Sequence, residues 1–101
     1  MFNPGNIIRL TTTSEGADRF AEVLTRAREH VLAETGTTTW FAARGEDEPA
    51  SFFIVELFVD GDARAAHLGG SAAALIRGEG GSLLAGQPEI SALELVAGKN
   101  V

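Results

Sequence analysis

S-F-F-I-V-E-L-F-V, residues 51–59, is the most strand-like run of the chain, and it lacks the polar–apolar alternation of a strand with one wet face. Phe52, Ile54, Glu56 and Phe58 fall on one side of such a strand, and Phe53, Val55, Leu57 and Val59 on the other. Both sides therefore seek burial. Helices laid on a sheet cover one face only, so the second face calls for a partner, and another copy of the same chain is the simplest. The plainer alternative is an inner strand of a monomeric sheet.

The neighbouring segments place this strand in a sheet. Residues 37–44, T-T-T-W-F-A-A-R, are also β-prone, and G-E-D-E-P at 45–49 reads as the turn of a hairpin joining the two. Upstream, residues 16–34 repeat apolar side chains at Ala17, Phe20, Val23, Leu24, Ala27 and Val31, one face of a helix. Residues 13–16 are read as its capping turn and Gly36 as its terminator. Residues 6–12, N-I-I-R-L-T-T, make a first strand.

Downstream, Asp60-Gly61-Asp62 caps a short helix over 63–68, Gly69-Gly70 breaks it, and Ser71 caps a second stretch to Arg77. Gly78, Gly80 and Gly81 are expected to loosen the chain. Residues 89–96 form a last strand whose apolar phase slips, which predicts a bulge or burial on both sides. The order β-α-β-β-α-β is the ferredoxin-like split βαβ pattern of an α+β domain with an antiparallel sheet. At 101 residues the whole chain, 1–101, is expected to be one domain.

Composition narrows the function classes. A net charge of −6 with scattered Lys and Arg works against binding nucleic-acid phosphates. There is no run long and apolar enough for a membrane span and no signal-type start, so a cytoplasmic location is the default expectation. With no cysteine, disulfides, thiolate metal sites and a cysteine nucleophile are excluded. His30 and His67 lack ligand spacing, so no metal site is expected.

The run F-I-V-E-L-F-V-D-G-D-A-R-A-A-H-L at 53–68 and L-L-A-G-Q-P-E-I at 83–90 resemble the antibiotic biosynthesis monooxygenase family. The resemblance implies a homodimer of ferredoxin-like protomers forming a dimeric α/β barrel, each with an apolar cavity between sheet and helices. It also implies cofactor-independent oxidation of a small phenol-, quinol- or anthrone-like aromatic. Relatives that degrade haem use an Asn on the first strand and a Trp and a His in the second helical region. The positions aligned with these are Ile8, His67 and Arg77, so that branch does not fit. Phe58 stands where the family often has Trp, and the chain has no Tyr. The fold by itself fixes no reaction.

Oxygenation without a cofactor needs a dry pocket and a group that takes a proton from the substrate. His67 is the candidate base, the alternative being a structural hydrogen bond at the helix–sheet boundary. Glu56, a carboxylate inside an apolar strand, needs a partner, either Arg9 or Arg44 in a salt bridge, or His67, which it would then orient. Trp40, Phe52, Ile54 and Phe58 are candidate walls for an aromatic substrate or plain core, and Arg77 can hold a phenolate at the pocket mouth or be merely solvated. His30 is explained by the dipole at a helix C-terminus. Two other readings share this scaffold, a non-catalytic binder of a small hydrophobic molecule and an isomerase or lyase. No P-loop, dinucleotide fingerprint or nucleophile elbow is present.

Overall fold

A computed structural model describes residues 3–101. Its elements run β1 (Pro4–Thr11), α1 (Ala17–Val31), β2 (Thr37–Arg44), β3 (Ser51–Phe58), α2 (Gly61–Leu68), α3 (Ser71–Gly80), a single 3₁₀ turn (Gly81–Leu83) and β4 (Glu89–Glu94). The four strands form one antiparallel sheet in the order β2-β3-β1-β4, open at both edges, as the ferredoxin-like pattern requires. In a single chain the sheet does not close into a barrel.

The helices lie on the face that carries Phe52, Ile54, Glu56 and Phe58, all 2% exposed or less. Opposite them α1 buries all six residues of its apolar stripe. Phe20 meets the Phe52 ring edge to face with centroids 5.0 Å apart. On the other face Leu57 is buried, Phe53 and Val55 are partly buried, and Phe41 is half exposed. Residues 95–99 and Val101 flank a groove over Thr39, Phe41, Val55 and Leu57, so part of that second apolar face is met by the chain's own tail.

Several local expectations are corrected. Gly36 does not end α1, which stops at Val31 with Leu32 as its C-cap. Gly36 instead brings the α1–β2 turn against Ala63 of α2, where an added methyl group would overlap the Ala63 side chain. Ser71 is the first residue of α3 and not its cap; Gly70 is the cap and makes no side-chain bond. Gly78 and Gly80 do not loosen the chain but are helical, and α3 continues to Gly80. A Cβ at Gly80 would fall 2.7 Å from the Phe20 ring, so glycine there permits α3 to close on α1. Finally, β4 is an unbulged edge strand, exposed along most of its length and paired only to β1. The bulge lies in β2, between Thr37 and Thr39.

Candidate functional site

The polar core of the molecule is anchored on the helix-facing side of the sheet. Antiparallel register places Trp40, Glu56, Asn6 and Ala92 in one cross-sheet row on the helix side. Glu56 is 1% exposed and cannot be left unpaired. Its Oε2 accepts from Asn6 Nδ2 at 3.0 Å, and its Oε1 accepts from His67 Nε2 at 3.0 Å. The expected salt bridge to Arg9 or Arg44 is therefore not formed. Arg9 lies over Phe53 on the far face, and Arg44 bonds Pro49 O at 2.7 Å and Asp18 at 2.8 Å.

The second carboxylate is Glu34, in the turn after α1, whose Oε1 accepts from His67 Nδ1 at 2.6 Å and from Thr37 Oγ1 at 2.7 Å. The β2 bulge makes this possible. The extra residue, Thr38, turns Thr37 to the helix side, where its hydroxyl reaches Glu34. Glu34 was not foreseen from the sequence, because a lone acidic residue in a turn carries no signal of a partner 33 positions away.

His67, 6% exposed, thus sits between two carboxylates, with the Phe58 ring 5.3 Å away. The hydrogen bond to Glu56 chiefly, helped by the one to Glu34 and opposed by burial, raises its pKa from 6.5 to about 9. The raised pKa favours the imidazolium at neutral pH, with both ring nitrogens engaged by carboxylates. An imidazolium has no lone pair for a substrate proton, and both ring nitrogens of His67, the candidate base, face carboxylates. What the structure does show is the Glu56–His67 contact.

The remaining candidate residues are dispersed. Ile54 and Phe58 lie in the closed core. Trp40 and Phe52 line a cleft of about 360 Å³ between α1 and β2. Arg77 lines a different cleft, of about 560 Å³, between α3 and β1, together with Leu10, Ile76, Leu84, Gln87 and Pro88. His67 borders a third crevice with Glu34, His30 and Ser71, where His30 Nδ1 lies 2.8 Å from Ser71 Oγ. Among the described residues no single cavity unites Trp40, His67 and Arg77.

The α3–β1 cleft lies toward the uncovered side of the sheet. No helix packs on β4, so Ile90, the cross-strand partner of Ile8, faces the helix side at 60% exposure. Leu10, Ile76 and Leu84 give the cleft an apolar wall, and the Arg77 guanidinium, bonded at 3.3 Å to Leu68 O, supplies its positive charge. Ligand pockets of about 300–1,000 Å³ with few polar groups are typical of small-molecule sites. No helix is long and apolar enough to cross a membrane among the described residues.

Residues 5–76 match the family model for antibiotic biosynthesis monooxygenase. Among solved structures, the chain is similar to a Nitrosomonas europaea protein of unknown function, at 33% identity and a TM-score of 0.89, covering 98% of this chain and 94% of that one. A Pseudomonas aeruginosa protein shares the fold at 18% identity, with a TM-score of 0.85 and coverage of 96% and 97%. A protein described as an antibiotic biosynthesis monooxygenase does so at 14% identity, with a TM-score of 0.82 and coverage of 93% and 99%. None of the curated proteins matches the sequence significantly. With the family model spanning more than half of its length, the chain belongs to the antibiotic biosynthesis monooxygenase family.

Proposed function

We propose that the protein is a monooxygenase that uses dioxygen, without a resident cofactor, to oxidise a small phenol-, quinol- or anthrone-like aromatic held in the α3–β1 cleft. The observation that carries this reading is the guanidinium of Arg77, the one charged side chain among the described residues that line a largely apolar cleft of about 560 Å³. Such a cleft takes up a flat arene, and a single cation favours its ionised form, a phenolate or enolate. For an anthrone-type substrate the ring CH₂ is oxidised to a carbonyl. Dioxygen supplies that oxygen, and its other atom leaves as water. The proton lost in forming the enolate passes to water at the open mouth, and Arg77 stabilises the anion that gives up an electron to oxygen.

The Glu34–His67–Glu56 cluster has a supporting task in this reading. It ties the α1–β2 turn and β3 to α2, the helix that leads into α3. The outer sheet face with Phe41, Val55 and the exposed Val96 is the contact with a second copy, giving the homodimer.

One observation favours holding a ligand without turnover: no His, Asp or Glu side chain lines the α3–β1 cleft. Oxygen uptake with anthrone separates the two. The oxygenase reading expects uptake above the enzyme-free rate, a loss of about tenfold or more in Arg77→Gln, and retained activity in His67→Gln folded at low temperature. Ligand-induced thermal stabilisation with no uptake overturns it in favour of a binder.

A further inference from the structure

The cleft between α1 and the edge strand β2 is not needed by the reading above, yet it has the features of a separate site. It is lined by Leu24, Trp40, Ala42 and Phe52 and by two arginines, Arg28 and Arg44. The chain as a whole carries −6, and here two guanidinium groups, each with a carboxylate neighbour, Asp18 or Glu29, stand beside an apolar cleft of about 360 Å³.

The two arginines differ in freedom. Arg44 is fixed: its Nε donates to Pro49 O at 2.7 Å, its Nη2 to Asp18 at 2.8 Å, and its guanidinium lies 5.3 Å from the centre of the Phe52 ring. Among the described residues Arg28 meets only Glu29, at 3.4 Å, through mostly exposed side chains, a pairing worth little. Its donors remain open to a ligand. Trp40 adds a second sign of incompleteness, because its indole Nε1–H is buried and has no acceptor among the described residues. Buried donors are nearly always satisfied, and leaving one without a partner is costly.

We propose that this cleft binds a small aromatic carboxylate. The ring lies against Trp40, and the carboxylate meets Arg28 beside the fixed charge of Arg44. This site is distinct from the α3–β1 cleft and does not depend on what that cleft does. Neutral arenes fit the cleft but lack the charge, so discrimination rests on Arg28.

Trp40 is the one tryptophan of the chain, so its indole N–H gives a single, unambiguous signal in a proton–nitrogen correlation spectrum. Titration with phenylacetate is expected to shift that signal saturably, with a dissociation constant on the order of a millimolar. Phenylethanol, its neutral counterpart, is expected to bind about tenfold more weakly. Arg28→Gln, an exposed change that leaves the fold intact, is expected to weaken phenylacetate about tenfold, and added salt to weaken it further. Arg77→Gln is expected to leave the titration unchanged, which separates this site from the oxygenase cleft. Equal binding of phenylethanol, an undiminished Arg28→Gln titration, or no saturable shift at the indole overturns the proposal.

Discussion

Raising the pH should dissolve the tie between α2 and the sheet. In the folded chain His67 titrates near 9, against 6.5 in the unfolded chain. The folded state therefore holds one more proton than the unfolded state across that interval, and stability falls as pH rises through it. At about 1.4 kcal/mol per pH unit, the shift corresponds to roughly 3 kcal/mol. That contribution is fully present below the unfolded value of 6.5, declines through the mildly alkaline range, and is gone once the pH passes about 9. For a small domain with about 5–15 kcal/mol of total stability this is a large share.

The assay is urea unfolding at constant ionic strength from about pH 6 to about pH 10, for the natural chain and for His67→Gln, the difference isolating this one group. With only two histidines in the chain, the ring-proton resonance missing from the variant identifies His67 directly. Its titration midpoint should lie near 9. A midpoint near 6.5, or a stability difference that does not change with pH, would refute the reading of His67 as an imidazolium clamped by Glu34 and Glu56.

Two further outcomes follow from packing. Gly80→Ala puts a methyl group into the Phe20 ring, 2.7 Å from its nearest carbon, and thermal unfolding should show a loss of about 1–3 kcal/mol; an unchanged melting temperature would mean that α3 and α1 are not so tightly closed. Val55→Asp places a charge on the partly buried outer face beside the half-exposed Phe41, and sedimentation should show a dimer for the natural chain and monomers for the variant; a natural chain that sediments as a monomer would remove the proposed pairing.

The strands and helices were legible because their periodicities are strong. The α1 stripe from Ala17 to Val31 reads at helical spacing and is buried throughout, and the doubly apolar 51–59 run lies in an inner strand, paired on both edges. The glycines were misread for a physical reason. In sequence, Gly36, Gly78 and Gly80 signal punctuation, whereas in the fold Gly36 and Gly80 serve close approach, to Ala63 and Phe20, which only the tertiary arrangement reveals. The phase slip expected of a bulge in β4 belongs instead to an exposed edge strand that has little packing to impose alternation.

Glu56 was recognisable as a buried charge in need of a partner, but which partner was not. Arg9 projects to the opposite face and Arg44 is engaged near the β2–β3 turn, while His67 arrives from α2. Glu34 enters the cluster only because a bulge rotates Thr37 toward it. That step depends on strand register, which no local pattern announces. Arg77 and Trp40 were both singled out by residue type, yet their positions on different elements send them to different clefts.

The most direct measurement is oxidation of anthrone under ¹⁸O-labelled dioxygen by protein dialysed exhaustively against a chelator, with mass analysis of the product. One labelled oxygen in the new carbonyl, the other in water, and a rate that depends on Arg77 are expected. Consumption no faster than spontaneous oxidation, or a carbonyl that takes its oxygen from solvent, would contradict the proposed oxygenase activity.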